Sequence, residues 1–301
     1  MTETAPEHPR ESLPLDSTAQ LLTRITSQLG TQLSLVSLNG TRRPMHRIRR
    51  TAPTLVAVAH GSRDPRALRT VLELLERVRE LRPGLDVRLG HIELNEPLLP
   101  DTLDGIGRGD AVLVPLLLGR GHHVRHDLPL AASAASHLRT RVAAPLGPHP
   151  LLVEALYERL VEAGWRDGDG TSRHAAVVLA AAGSRDPDSD VDARRTADML
   201  SDRLGGVPVV PAYASAASPT VPAALRALAA RGRHRTAVAS YFTAPGRFAT
   251  VSAAAAPGIA AAPLGAHPAM ARLLLHRYDQ AVAGTAPAHD AWTHPRLLAS
   301  A

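Results

Sequence analysis

A histidine-rich segment that follows an apolar run carries the densest set of reactive side chains in this 301-residue chain. Three histidines, His122, His123 and His126, lie within five positions. The preceding run, Val112–Gly119, is apolar without helical spacing, which predicts a buried strand. The next residues, Asp127–Pro129, are suited to cap and begin a helix. Because ligands of open α/β folds bind beyond the carboxyl ends of strands, this segment is a candidate site.

Another histidine and two carboxylates follow other predicted strands. His60 comes directly after the apolar residues Leu55–Ala59, while Glu93 and Glu96 follow a strand predicted over Asp86–Ile92. Imidazoles together with carboxylates suit a divalent first-row metal, and an imidazole, whose ordinary pKa is about 6.5, also accepts protons near neutral pH. We therefore predict that His60 and His123 bind metal. We further predict that these two histidines and the two glutamates take part in catalysis.

Three arginines border the same predicted loops, and each candidate residue also has a structural interpretation. Arg63, Arg120 and Arg125 could form a collar for anionic groups, since guanidinium binds carboxylate in a bidentate manner, or they could be ordinary surface residues. Ser62 or Asp64 could cap the following helix. Glu93 and Glu96 could instead cap a helix begun by Pro97. The remaining histidines near these loops are interpreted as surface or capping residues: His91, His122, His126 and His149.

The chain contains an internal repeat. Gly61–Pro65 returns without change 122 positions later as Gly183–Pro187. Ala144–Pro150 returns with one change after 118 positions as Ala262–Pro268. A repeat of this length indicates two like domains that are each large enough to bury a core.

Strands alternating with helices in both copies predict an α/β fold, with each domain a mostly parallel sheet covered by helices on both faces. In the first copy, helices are predicted from Leu68 to Leu81, from Pro97 to Gly107 and from Pro150 to Gly164, with a short strand from Arg141 to Ala144. The predicted division begins with an N-terminal extension over 1–50, whose composition resembles a disordered, solvated tail. A domain over 51–165, a linker over 166–173, a second domain over 174–285 and a C-terminal tail over 286–301 follow. Met45 is a candidate natural start.

The two copies differ where chemistry is expected. His60 falls opposite Ala182, and His122-His123 falls opposite Arg247-Phe248. Glu93 and Glu96 fall opposite Ser215 and Ser218. The turn around Gly183 is kept without its histidine, so the turn itself does not require His60. This pattern predicts that the first half carries the functional site and that the second half is a degenerate copy with a structural role.

Composition narrows the class of protein. The chain lacks cysteine, which excludes disulfides and thiolate metal ligands. No apolar run of about 18 residues and no signal-like N-terminus is visible, so we expect a cytoplasmic protein without a membrane span. The formal charge is +6 and every basic residue is arginine, but these are scattered among acids, and aromatic residues are only 3%. We therefore expect no nucleic-acid binding.

Three motifs carry a resemblance to a known family. Ala59–Arg63, Glu93–Pro97 and Val114–Pro129 are similar to the signatures of the class II chelatases, which insert metal into sirohydrochlorin. The resemblance runs over about residues 54 to 284. It implies two chelatase-like, flavodoxin-like halves that face each other across a cleft for the tetrapyrrole. It also implies that His123, rather than His122, is the functional histidine, and two-domain members often keep the site in one half.

The resemblance further implies a metal-inserting lyase, a ferrochelatase or cobaltochelatase of sirohaem or cobalamin biosynthesis. Fe²⁺ or Co²⁺, with Ni²⁺ as a further candidate, would be a substrate, and no tightly bound cofactor is expected. His60 and His123 would hold the metal and accept the pyrrole protons, while Ser62, Arg63, Arg120 and Arg125 would bind substrate. We expect a monomer with two pseudo-symmetric halves.

Two other interpretations are open. A non-catalytic carrier of metal or tetrapyrrole could use the same cleft. A histidine phosphatase also has a His-Gly pair after a strand, but that family needs an arginine directly before the histidine, where Ala59 stands here.

Overall fold

The computed structural model describes residues 52–166 and 172–284, and both halves fall within one compact unit. The predicted N-terminal extension with Met45, the C-terminal tail and most of the linker lie outside the described residues. Within the described ranges, no helix combines the length and apolar character needed to cross a membrane.

The first half alternates strands with helices, as predicted. Its elements are β1 (Thr54–Ala59), α1 (Pro65–Leu81), β2 (Val87–His91), α2 (Leu99–Asp104), β3 (Gly109–Pro115), a π-helical turn (His123–Asp127), α3 (Leu128–Ala134), β4 (Leu138–Val142) and α4 (Pro150–Glu162). Asp64 caps α1 by accepting the backbone N–H of Arg66, and Pro65 occupies the first turn, where its missing N–H costs nothing. The repeated Asp-Pro pair is therefore a helix start.

The second half repeats this order. Its elements are β5 (Ala175–Ala181), α5 (Pro187–Arg203), β6 (Val209–Tyr213), α6 (Val221–Ala230), β7 (Arg235–Tyr241), α7 (Arg247–Ala254), β8 (Ile259–Ala260) and α8 (Pro268–Ala283). Asp186 caps α5 through the N–H of Asp188, as Asp64 caps α1.

Each half contains one parallel sheet of four strands. The strand orders are β2-β1-β3-β4 and β6-β5-β7-β8. In the first sheet Ala59 lies opposite His91, and Val58 lies opposite Pro115. The carboxyl ends of β1, β2 and β3 thus meet at one edge, which brings the loops that follow them together. The predicted α/β class with two tandem parallel sheets is confirmed.

Both faces of each sheet are covered. In β1, Leu55 and Ala57 point into a large core that includes residues of both halves. Val56 and Val58 point to the other face, where they pack in a separate core with α2 and α3. A fully apolar strand is what a sheet buried on both faces requires.

The two halves exchange their last helices. Helix α4 packs on α5 and β7 of the second half, and α8 packs on α1, β3 and β4 of the first half. Buried residues surround most of α8, as expected for a helix enclosed between layers. We predicted that each domain buries its own core, but the largest core is common to both halves. The sequence boundaries of the repeat stay a prediction.

Several local predictions were wrong. The third strand ends at Pro115 rather than Gly119, because the next residues leave the sheet and bond to the loop after β4, where Leu117 accepts the N–H of Leu146. Strand β4 begins three residues before the predicted Arg141. Asp127 caps no helix, since its backbone is already helical and its carboxylate bonds elsewhere. His91 is buried at 2% exposure and contacts the carbonyl of Pro97, so it is not a surface residue.

Candidate active site

A tight turn after β1 places His60 beside the loop that follows β2. Gly61 has a φ of 104°, and a Cβ at this position would lie 1.8 Å from the carbonyl oxygen of Glu93. The carbonyl of His60 accepts the N–H of Glu93 at 3.0 Å. Only glycine allows this close approach of the two loops. The repeated glycine therefore fixes the position of the residue before it.

The structure brings the two predicted histidines together. His60 follows β1, and His123 begins the π-helical turn after β3. Their rings lie edge to face with centroids 4.9 Å apart. Since β1 and β3 are neighbours in the sheet, this contact follows from the strand order and the loop lengths.

A carboxylate stands behind each histidine. Nδ1 of His123 lies 2.5 Å from Oδ2 of Asp127, and Nδ1 of His60 lies 3.5 Å from Oε1 of Glu93. An Nδ1–H that donates to a carboxylate leaves the Nε2 lone pair free for a metal or proton, and such partners orient metal-binding histidines.

Asp127 was missed as a functional residue, because the Asp-x-Pro pattern favoured a helix cap. Its spacing of four residues from His123, which puts both on one face of a helical turn, was the available signal. No group of three or more metal-ligating side chains is present in the described part of the chain.

Glu96 and Ser62 have structural contacts in this site. Glu96 is exposed and its Oε2 accepts the N–H of Leu98 at 3.2 Å, which caps the turn before α2. The N–H of Ser62 donates to Oδ1 of Asn95 at 2.7 Å, and its hydroxyl accepts the N–H of Asp64. Ser62 also lines the cleft. The predicted catalytic role of Glu96 and the predicted substrate contact of Ser62 stay predictions.

Arg120 and Arg125 form ion pairs across the two halves. Arg120 binds Asp192 through its backbone N–H and its guanidinium, with Nη2 2.7 Å from Oδ1. The hydrogen bond to Asp192 raises the pKa of the Arg120 guanidinium. Arg125 pairs with Asp186 and Asp188. These contacts hold the histidine loop against α5, and the predicted binding of substrate by the two arginines stays a prediction.

Arg63 differs from these two arginines. It is exposed and lines the cleft, and no acidic side chain pairs with it among the residues that the structure describes. Its guanidinium is therefore available to an anionic ligand.

The site opens into a cavity between the two halves with a volume of about 1020 Å³. The first half contributes His60, Arg63 and His123, and the second half contributes residues of the loop after β7 and of α7. The volume lies at the upper end of the range for small-molecule sites. Tyr241 closes the cavity from the second half, where its hydroxyl donates to the carbonyl of Leu118, and burial raises its pKa.

Fold and site together define a two-half α/β protein that presents a carboxylate-backed histidine pair to a large interior cleft. A model of the CbiX family matches residues 54–163 and 176–281. The chain belongs to the CbiX family.

The curated proteins that are similar to this chain include both a ferrochelatase and a cobaltochelatase. A sirohydrochlorin ferrochelatase from Bacillus subtilis is 28% identical over 172 residues, which is 55% of this chain and 64% of that protein. A sirohydrochlorin cobaltochelatase from Methanococcus aeolicus is 33% identical over 78 residues, 25% of this chain and 54% of that protein. The chain thus spans 64% and 54% of the length of these two relatives, which is less than two thirds of each.

Solved structures share the fold. SirB from Bacillus subtilis with Fe³⁺ has a TM-score of 0.63 at 24% identity, over 77% of this chain and 96% of that one. The structure of CbiX, the terminal enzyme of siroheme biosynthesis in denitrifying bacteria, has a TM-score of 0.58 at 21% identity, over 76% of this chain and 99% of that one. At these identities the likeness establishes the architecture alone.

Proposed function

We propose that this chain is a sirohydrochlorin chelatase, which inserts a divalent metal into the tetrapyrrole. The observation that carries the proposal is the His60–His123 pair, with a carboxylate behind each ring, at the wall of a cleft of about 1020 Å³. The names of the curated relatives support it.

The two histidines hold the incoming metal. Asp127 contacts Nδ1 of His123 and Glu93 lies near Nδ1 of His60, so the Nε2 atoms are left to bind the metal in this proposal. Two nitrogen donors leave most coordination positions to water and then to the pyrrole nitrogens. A metal held this weakly is transferable, as a substrate must be.

Insertion also requires proton acceptors. For each metal inserted, two pyrrole N–H bonds break, two protons leave, and metal–nitrogen bonds form in their place. His60 and His123 are placed to accept these protons once the metal has moved to the ring, and Glu93, half exposed, can pass a proton to water. Glu96 joins this relay only if it leaves its contact with Leu98.

The rim of the macrocycle needs cationic partners. Sirohydrochlorin carries carboxylates around its edge, and Arg63 offers them a guanidinium without a described acidic partner. Ser62 lines the same wall. Arg120 and Arg125 contribute if substrate carboxylates replace their aspartates. Holding the ring by its edge allows binding energy to favour a distorted macrocycle with accessible nitrogens.

The metal is Fe²⁺ or Co²⁺ in this proposal, with Ni²⁺ as a third candidate. Relatives of both the iron and the cobalt kind match the chain, and a histidine-carboxylate site discriminates weakly among these ions. The product then belongs to sirohaem or cobalamin biosynthesis according to the metal. We further propose that the working unit is a monomer, because its two halves already enclose the cleft.

Anaerobic insertion assays with sirohydrochlorin and each of the three metals, followed by absorbance, test the proposal. We expect multiple turnovers for the wild type and a loss of at least about 100-fold for His60→Ala and His123→Ala. His234→Ala, an exposed histidine away from the cleft, is the matched control. Near-normal rates in both site variants would overturn the proposal.

The same assay separates an enzyme from a carrier. A carrier would bind metal or tetrapyrrole in a fixed ratio and give no more than one product per chain. Such a result would assign the cleft to transport or storage.

A further inference from the structure

The cleft has a second wall, formed by Arg247, Phe248 and Val251 of α7, which we call the α7 wall. All three side chains line the cavity. Phe248 is 40% exposed and Val251 is 59% exposed, although both are large and apolar. Apolar side chains left open inside a concave site mark a surface that contacts a ligand.

The α7 wall stands where the first half has its histidines. Leu117 accepts the N–H of Leu146, and Phe242 accepts the N–H of Leu264, so the backbones of the two halves correspond after 125 positions along this segment. By this register the three residues of the α7 wall replace three histidines, namely His122, His123 and His126. At these three positions the second half therefore has an arginine and two apolar side chains in place of imidazoles.

Arg247 resembles Arg63 and differs from the paired arginines. It is exposed, lines the cavity and has no acidic partner within the described residues. The two arginines also flank a close approach of the halves, because a Cβ on Gly246 would lie 3.7 Å from the hydroxyl of Ser62. Each arginine directly follows one of these neighbouring residues, and both line the cavity, one from each half.

We propose that the α7 wall determines the specificity of the cleft for a flat, apolar ring with an acidic edge. Phe248 and Val251 cover one face of the ring, opposite the histidines, and Arg247 joins Arg63 in binding carboxylates at its edge. This inference rests on the proposed function and assigns a substrate-binding role to the half that lacks the histidines. Metal binding is left to the first half.

Binding measurements on four variants test the proposal, with sirohydrochlorin and its fully esterified, uncharged form as probes. We expect Arg247→Gln to weaken binding of the acid about 10-fold and to leave the ester unaffected. Phe248→Ala is expected to weaken the binding of both probes by a similar factor of about 5, and Phe248→Leu is expected to restore most of the lost affinity. Arg226→Gln, an exposed arginine on α6 with the same change in charge, is the control. The affinity for Co²⁺ alone, measured by calorimetry, is expected to stay unchanged in all four.

The outcomes separate this inference from the proposed function. If the wild type inserts metal but Arg247→Gln binds the acid as well as Arg226→Gln does, the role of the α7 wall is wrong and the chelatase proposal stands. If the wild type binds the acid without inserting metal, the chelatase proposal fails, and the variants still decide the role of the α7 wall. A loss of Co²⁺ affinity in Phe248→Ala would also overturn the proposed division of roles.

Discussion

The two halves share a scaffold and differ at the cleft. Gly61 and Gly183 both have positive φ values, and each lies against the carbonyl of the corresponding residue in the next loop, Glu93 or Ser215. Beyond these turns the chemistry separates, since His60 corresponds to Ala182. The residues that build the turn are kept in both halves, whereas the residues that could react are present in only one.

The two halves also differ in the carboxylates that accompany the histidines. The first half has a carboxylate behind each histidine, Glu93 and Asp127. The second half has Ser215 and Ser252 at these positions. Histidine and carboxylate are therefore present together in the first half and absent together in the second, which is expected if the carboxylate acts through the imidazole.

The largest effect that we predict concerns the shared scaffold. Gly61→Ala and Gly183→Ala should each lower the free energy of unfolding by about 3 kcal/mol, because a Cβ would strike a backbone carbonyl at a positive φ. Urea unfolding measures the change. Gly84→Ala is the matched control, since Gly84 also has a positive φ but its Cβ would meet no atom within 4 Å.

Equal losses in the two halves would show that the turn has the same structural role in both. A much smaller loss for Gly183→Ala would contradict the idea of a common scaffold. The second half would then tolerate a relaxed turn, and the first half would need a strict one for its histidine.

Much of this architecture was predictable from the sequence, because its signals are local. The apolar run at Leu55–Ala59, the Asp-Pro helix starts and the repeated glycines indicated the parallel sheets and their duplication. The exchange of α4 and α8 was not predictable, since an apolar helix face does not specify which sheet it covers. Only the folded chain shows that both helices cross to the other half.

The candidate site was predictable only where its signals are local. His60 and His123 were found because each follows a strand, and strand order brings them to 4.9 Å. Asp127 was assigned to a cap, because the Asp-x-Pro pattern outweighed the four-residue spacing that brings Asp127 and His123 together in the π-helical turn. The ion pairs of Arg120 depend on contacts between the halves, which sequence spacing does not encode.

The next largest effect concerns the carboxylate behind His123. Asp127→Asn should lower Co²⁺ affinity and the rate of metal insertion by about 10- to 100-fold, because an amide no longer fixes Nδ1 as a donor of a charge-assisted bond. Calorimetry with Co²⁺ and the insertion assay measure it. The free energy of unfolding should change little, since Asp127 is partly exposed.

Ser252→Ala is the matched control in the second half. Its hydroxyl is buried and lacks a hydrogen-bond partner within the described residues. Its removal should therefore leave both the free energy of unfolding and the Co²⁺ affinity almost unchanged. If Asp127→Asn retained full Co²⁺ affinity, the carboxylate would have no orienting role and the contrast between the halves would reduce to the histidines.

The smallest effect concerns the histidines that cap α4 and α8. His149 and His267 occupy corresponding positions, and each accepts a backbone N–H at the helix start. Their surroundings differ. Burial, followed by the nearby charge of Arg277, lowers the pKa of His149 to about 4, whereas His267 lies 2.9 Å from Oε2 of Glu158. Protonation of the cap of the first half is therefore opposed by its surroundings.

The free energy of unfolding should consequently depend on pH through His149. Between pH 6.5, the ordinary pKa of histidine, and the folded value of about 4, the His149 imidazole is protonated in the unfolded chain but not in the folded chain. The free energy of unfolding therefore falls as the pH drops through this range. We expect about 1 kcal/mol from this residue, well below the full value for the shift because the ring is partly exposed. Urea unfolding at pH 7 and pH 5 measures it. His149→Asn keeps a capping side chain and should flatten the slope, while His234→Asn should leave it unchanged. An identical slope in the two variants would show that His149 does not contribute to the pH dependence.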